Sequence, residues 1–398
     1  MEQKLSLFDM LSQAKENHVD ESNMAEIMGD IVTRKSNLMR LPLAIQLELL
    51  PLCNFRCSFC YIRKTKEEVE KSGQQILRFE DWKYYIDHAF DLGVGSVTLT
   101  GGECMLHPDF KEIYAYAYDK GMELSVISNA SLIDEAIFNL FLQKPPSRIS
   151  VTLYGMSEQT YERTCGNGAA FPKVLANIEK MLECGLNLTL NYTAGNDNFC
   201  DMEAVLAYAR AHRIAVFPTN ALMKVRNCDE DVIAAQFVDS KKYKDIELKH
   251  MALLQNTPFE TLKHRYLTEY SKPLVHNDRG FTCSAGNSAM FVNWQGLLVP
   301  CVNFNTCFAD PRELGFEGAW EKIKAWVDAL PNLEECEGCI FFNKCHRCPA
   351  IHYGDTGTFG TVSDRLCFKK LYPEHAQKAL ENYQKSLADN EADNDVNN

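Results

Sequence analysis

No stretch of this 398-residue chain is apolar enough for long enough to cross a bilayer. Runs such as Leu41–Ile45 and Ile340–Phe342 fall far short of the roughly 20 residues a membrane helix needs. Met1–Glu16 mixes charged with apolar residues and lacks the continuous apolar segment of a secretory signal. A cytoplasmic protein with no membrane partner is therefore expected. Basic clusters are missing as well. With a net charge of −13, no nucleic-acid partner is expected, because phosphate contacts need Lys/Arg patches. Part of the acidic excess is local: Ala388–Asn398 carries four acids and no base, and reads as a disordered solvating tail. No internal repeat is evident beyond an alternation of strand-like and helix-like stretches.

Against these absences stand 16 cysteines. In a large chain without an export signal, clustered cysteines point to metal or redox chemistry rather than to disulfides. The rest of the composition is ordinary for a globular protein, with 46% hydrophobic and 24% charged residues. The length suits one large domain and a smaller one, since single cores rarely grow beyond about 250–300 residues.

Strand-like apolar runs lie at Leu43–Leu50, Ser96–Thr100, Leu124–Ser128, Arg148–Leu153, Leu186–Thr193 and Ile214–Pro218. Between them, Phe79–Leu92, Pro108–Lys120, Ile133–Leu142, Phe171–Glu183 and Asp201–His212 read as helices. This alternation implies βαβ units and a parallel sheet, here an α/β partial (β/α)6 TIM-like barrel with its chemistry at the C-terminal ends of the strands. The expected division is a helical extension (1–40), the partial barrel (41–225), a helical bridge (226–280), a small Cys-rich unit (281–368), and a closing helix with the acidic tail (369–398). In the Cys-rich unit, Met290–Asn293 and Leu297–Pro300 flank a turn at Asn293–Gly296 and predict a hairpin.

Cys53, Cys57 and Cys60 follow the first strand with the spacing C-x3-C-x2-C and are followed by Tyr61. Three thiolates on one loop hold three irons of a cubane cluster and leave the fourth without a protein ligand, the open position that a catalytic metal requires. A zinc loop is the other reading, but zinc wants a fourth ligand nearby and the nearest histidine is His88. The triplet resembles the signature of the radical S-adenosylmethionine (SAM) superfamily. The resemblance implies that SAM is chelated at the open iron and is cleaved to a 5′-deoxyadenosyl radical that abstracts a substrate hydrogen. An external electron donor of flavodoxin or ferredoxin type is implied as well. The organic chemistry belongs to the cofactors, and the protein supplies position and shielding.

Further motifs fall at expected strand ends. Thr100-Gly101-Gly102-Glu103 looks like the family's Gly-Gly-Glu motif, with glycines allowing close backbone approach and a carboxylate for the SAM ammonium. Ser128-Asn129 stands where related proteins often carry Thr-Asn-Gly. By the same resemblance, Ser150 and Arg163 are candidates for the SAM carboxylate, Asn191 for the sugar, and Tyr61 for further cofactor contact. Leu153–Gly155 also reads as plain barrel packing, and Arg163 as a surface charge.

Seven more cysteines, Cys283, Cys301, Cys336, Cys339, Cys345, Cys348 and Cys367, read as C-x12-G-x4-C, a gap, C-x2-C-x5-C-x2-C, a gap, and C. This resembles the SPASM domain, a C-terminal extension that binds two auxiliary clusters. The family usually has x3 before its sixth cysteine, where His346 and Arg347 give x2 here. Carried over, Cys283, Cys301 and Cys348 belong to one cluster, and Cys336, Cys339, Cys345 and Cys367 to the other, making three 4Fe–4S clusters in all. The first auxiliary cluster lacks a fourth ligand, which leaves Cys307 or an accessible iron. Zinc knuckles are the other reading of the C-x2-C pairs. Cys104, Cys165, Cys184, Cys200 and Cys228 read as incidental thiols. The resemblance spans Leu41–Phe368.

Relatives of this type mostly modify ribosomally made peptides, by crosslinking, thioether formation, epimerisation or desaturation, which makes a precursor peptide the expected partner. Oxidation of a small-molecule alcohol or sugar is the alternative. Sulfatase-maturing relatives place an acidic base directly after the counterpart of Cys301. Val302 and Asn303 stand here, and neither takes a proton at neutral pH. Asp310, His346 and His352 are then the candidate bases.

Overall fold

The computed structural model describes residues 21–223, 226, 229–271, 273, 283–304, 306–345 and 347–396. Six parallel strands form its centre: β1 (Ala44–Glu48), β2 (Ser96–Thr100), β3 (Glu123–Ser128), β4 (Arg148–Thr152), β5 (Leu188–Thr193) and β6 (Ala215–Thr219). They pair in sequence order, β1 with β2 through β5 with β6. Each crossover carries a helix, among them Phe79–Asp91, Phe110–Asp119, Glu135–Gln143, Phe171–Glu183 and Met202–Ala211. The expected strands and helices are thus present within a residue or two. Alternate residues of each strand point to a different side, so Leu47, Leu99, Val126, Val151 and Leu190 pack the main core with essentially no exposure. Polar neighbours such as Gln46, Thr152 and Asn191 face the cavity described below.

The sheet gains two strands that the sequence pattern did not assign to it. The expected hairpin exists as β7 (Ala289–Val292) and β8 (Leu298–Val299), but β7 pairs in parallel with β1, Ala44 opposite Ala289. The sheet order is β6-β5-β4-β3-β2-β1-β7-β8, with no pairing between β6 and β8 among the described residues, so the barrel is partial. The register of β7 against β1 is a contact between residues some 240 positions apart, which no local pattern carries. The turn itself is local: the Asn293 side chain accepts from the N–H groups of Gln295 and Leu297.

A helix at Glu158–Cys165 also escaped the sequence reading, because its eight residues are too short for a clear period. It is capped by Ser157, whose hydroxyl accepts from Thr160 N–H, and stopped by left-handed Gly166. Helices at Glu230–Ala235, Ser240–Leu254 and Phe259–Thr268 fill the bridge. The acidic tail expected to be disordered continues the last helix, which runs over Pro373–Val396. Once the first turns are formed, adding further residues costs little. Among the described residues no helix is long and apolar enough to cross a membrane.

Candidate active site

The loop after β1 carries Cys53, Cys57 and Cys60 over the C-terminal ends of the strands, and backbone contacts fix its path. Lys64 N–H closes it onto Pro51 O at 3.0 Å, while Arg56 and Ser58 N–H bind Cys165 O at 2.8 Å and Thr164 O at 3.0 Å. The short helix at 158–165 therefore lends its free C-terminal carbonyls to the cysteine loop. Phe55 N–H points to Cys53 Sγ at 3.4 Å and Arg63 N–H to Cys60 Sγ at 3.3 Å.

Burial, together with the charges of Glu103 and Cys60, pushes the Cys53 thiol up to about 12, and burial and the Cys60 charge also push Cys57 up. Three half-buried thiols that would repel one another as thiolates, each near backbone or aromatic donors, suit a cationic cluster core that would deprotonate them. Among the described residues no three His, Cys, Asp or Glu side chains converge on a single metal position. Cubane ligands each bind a different iron and so do not share one point. The triplet fits a cluster better than a lone zinc.

Beside Cys57 and Cys60 lies a cavity of about 450 Å³. Of the expected residues, Tyr61, Gly101, Gly102, Ser128, Asn129 and Asn191 line it. Gly102 is required by contact, since a Cβ there would stand 2.3 Å from Leu52 O, next to Cys53. Asn129 ties β3 to the cysteine loop, donating to Asn54 Oδ1 at 3.0 Å.

Three of the expected residues do not line this cavity. Glu103 does not line the cavity. Its fully buried carboxylate accepts from Ser128 Oγ at 2.9 and 3.0 Å, Asn129 N–H at 2.8 Å and Met105 N–H at 3.2 Å, because a buried charge needs donors and the end of β3 supplies them. Ser150 sits one rung below the cavity, bonded to Thr189 Oγ1 at 2.9 Å. Arg163 is exposed and turns to Asp197 O at 2.8 Å, closing the loop after β5 instead of reaching inward.

Residues not singled out from sequence also line the cavity. Thr152, two positions beyond Ser150 on the same face of β4, lines the cavity, and the period-2 pattern held that signal. Leu153 belongs to the core, but Tyr154 lines the cavity, hydrogen-bonds Cys57, and meets Phe55 and Phe59 at 5.7 and 6.5 Å. Phe217, on the open edge strand β6, lines it while 55% exposed.

The structure also groups the second set of cysteines. Cys283, Cys301 and Cys348 lie within charge reach of one another, and burial raises the Cys301 and Cys348 thiols, Cys301 to about 12. Cys345 and Cys367 share a hydrogen bond that lowers the Cys367 thiol and raises that of Cys345, and Cys336 adjoins Cys339 and Cys367. Cys307 is buried in the main core, with Lys322 its nearest charge, and does not join the first trio. Of the candidate bases, Asp310 caps the turn at Pro311 and His352 is buried, accepting from Ser363 N–H. Neither lines the cavity, while His346 lies outside the described residues. Cys104 and Cys165 are buried, Cys184 and Cys200 exposed, and Cys228 also lies outside the described residues.

Ala130 stands where the resemblance has glycine and holds a left-handed backbone, φ 58. A Cβ there costs about 1–2 kcal/mol, partly offset in the unfolded chain. Ala130→Gly is therefore expected to raise unfolding free energy by about 0.5–1 kcal/mol, measured by urea denaturation.

Residues 47–209 match the model of the Radical SAM superfamily. The chain is 26% identical to PqqA peptide cyclase of Granulibacter bethesdensis, over 84% of this chain and 88% of that one. It is 25% identical to AdoMet-dependent heme synthase of Methanosarcina barkeri, over 80% and 94%. Among solved structures, Streptococcus suis SuiB bound to its precursor peptide SuiA shares the fold, with a TM-score of 0.62 over 83% of this chain and 77% of that one, at 14% identity.

Proposed function

From the radical SAM domain that residues 47–209 form, we propose that this enzyme abstracts a hydrogen atom from a residue of a ribosomally made peptide, forming a crosslink, thioether, epimer or double bond. The domain implies SAM and one 4Fe–4S cluster, which together supply the hydrogen-abstracting radical when bound. The observation that carries the reading is the placement of the Cys53–Cys60 loop, with Cys57 and Cys60 in the lining, beside a cavity at the C-terminal ends of parallel strands.

Cys53, Cys57 and Cys60 would hold that cluster. Backbone groups of Gly101 and Gly102 and the side chains of Tyr61, Ser128, Asn129 and Asn191 would hold SAM. Glu103 acts behind them, holding Asn129 and Ser128 in place. The residues at 281–368 would form a SPASM-like unit with two further clusters, one on Cys283, Cys301 and Cys348, and one on Cys336, Cys339, Cys345 and Cys367. The convergence of each set supports this assignment.

The cavity supports a peptide substrate in two ways. It reaches the edge strand β6, where exposed Phe217 and half-buried Pro218 would leave room for a side chain delivered on a longer chain. Its described lining holds no Asp, Glu, Lys, Arg or His, which suits radical chemistry on an uncharged side chain. PqqA peptide cyclase, similar over most of both chains, is named for work on a peptide. A second reading, small-molecule chemistry such as oxidation of an alcohol or sugar, gains weight from the heme synthase relative, which matches to the same degree.

Mass spectrometry separates the two after anaerobic incubation with SAM, reductant and a candidate precursor peptide. Loss of two hydrogens is the expected result for crosslinking or desaturation, and one solvent deuterium gained is expected for epimerisation. An unmodified peptide, together with a small alcohol oxidised in proportion to 5′-deoxyadenosine, overturns the peptide reading.

A further inference from the structure

Two cavities share a wall. Gln46 and Val302 line both the cavity beside the Cys53–Cys60 loop and a smaller one, about 160 Å³, that reaches Cys301. One side of this wall belongs to the first cysteine group and the other to the second. Its position depends on how the turn after β8 is held against the end of β1.

Arg226 holds it. One guanidinium nitrogen donates to Glu48 Oε2 at 2.7 Å and to Val302 O at 3.2 Å, and the other donates to Glu48 Oε1 at 2.8 Å. Glu48 is the last residue of β1 and has no solvent exposure. Val302 directly follows Cys301. The grip thus spans from the strand that leads into the first cysteine loop to the residue beside the second group.

Arg226 makes these contacts from a left-handed backbone, φ 56, a conformation that disfavours a side-chain-bearing residue. A strained backbone combined with a buried ion pair is not what stability alone selects, since apolar replacements of buried pairs are often neutral or better. The pair is also oriented. The guanidinium charge reaches Cys60, Tyr61 and Cys301, while the opposite charge of Glu48 acts on Tyr61 as well and partly offsets it there.

We propose that Arg226 is a positioning residue that fixes the wall between the two cysteine groups and, in its pair with Glu48, turns the positive end of that pair toward Cys301, raising the reduction potential of the cluster held there. A cation near an iron–sulfur centre stabilises its more negative, reduced form. This rests on the reading that both groups bind clusters. It adds to that reading a specific residue by which the two centres are held and tuned.

The test uses full-length, anaerobically reconstituted wild-type protein, Arg226→Lys, Arg226→Gln, and the double variant Glu48→Gln/Arg226→Gln. Iron content is measured first, followed by midpoint potentials from redox titration monitored by electron paramagnetic resonance. Arg226→Lys, which keeps the charge, should stay near wild type. Arg226→Gln should keep its iron and show at least one potential shifted to a more negative value. Where the single variant leaves Glu48 unpaired and loses iron, the double variant carries the comparison, because it replaces the pair with two neutral amides.

Unchanged potentials in a neutral variant that retains its iron overturn the proposal. So does equal iron loss from Arg226→Lys and both neutral variants, which would mark the pair as structural only. Iron loss from both neutral variants with Arg226→Lys intact likewise marks the pair as structural and overturns the proposal. Wild-type protein with iron at the first group alone overturns both this inference and the auxiliary-cluster reading, whereas intact clusters with unmoved potentials overturn only this one.

Discussion

Replacing Cys53, Cys57 and Cys60 together with Ala is expected to remove about a third of the bound iron and all SAM cleavage. With three four-iron clusters the wild type holds about twelve irons per chain, and the variant about eight. The remainder should survive because the other cysteines are held by separate packing. Cys301 and Cys348 pack against Phe304, Val327, Leu330 and Ala350, and Cys339 and Cys345 against Ile340, Phe341 and Phe368. Neither cluster of side chains includes a residue of the 51–64 loop. Cleavage should vanish completely, since no other described cysteines adjoin the 450 Å³ cavity. Iron and sulfide assays after anaerobic reconstitution, with chromatography of 5′-deoxyadenosine, provide the readout. Stoichiometric zinc with little iron in the wild type would show that the cysteines serve a structural metal.

Glu103→Ala should cost more stability than any other single change at the site. It leaves the Ser128 hydroxyl and the Asn129 and Met105 N–H groups without their acceptor. A buried unsatisfied group costs about 1–3 kcal/mol, and neighbouring losses do not add fully. A drop in unfolding free energy of about 3 kcal/mol or more is expected from urea denaturation of the iron-free chain. Glu103→Gln keeps the shape and one acceptor oxygen but turns an NH2 toward existing donors, so an intermediate loss is expected. SAM affinity, measured on the reconstituted protein, should fall with Asn129 and Ser128 displaced. Unchanged apo stability with weakened SAM binding would instead return Glu103 to direct contact with the SAM ammonium.

Legibility at the site followed distance along the chain. Gly101, Gly102 and Asn129 lie within three residues of a strand end and are where the motif spacing put them. Glu103 is also in the motif, but the direction of its side chain depends on donors 25 and 26 residues away. Arg163 has the right chemistry for a carboxylate. Its helix, however, starts at Glu158 and aims the guanidinium at the loop after β5. Tyr154, just past the expected strand Arg148–Leu153, and Phe217, inside the expected strand Ile214–Pro218, are ordinary aromatic residues that carried no signal of their own.

What the sequence determined by itself is the set of features encoded locally. These are the six βα units, whose period and caps act within a few residues, and the cysteine spacings, which set how many metal ligands one loop can offer. The three-dimensional structure decided everything that depends on contacts between distant segments. It attached β7 and β8 to the free edge of β1, turned Glu103 inward, and brought Arg226 onto Glu48 across 178 positions of sequence. It also drew Cys283, Cys301 and Cys348 into one place. The physical reason is that hydrogen-bond periodicity and turn chemistry are short-range. The burial of a charge, the pairing of an edge strand and the facing of two cavities exist only once the chain has closed on itself, and each is then selected by the cost of leaving a polar group or a strand edge unsatisfied.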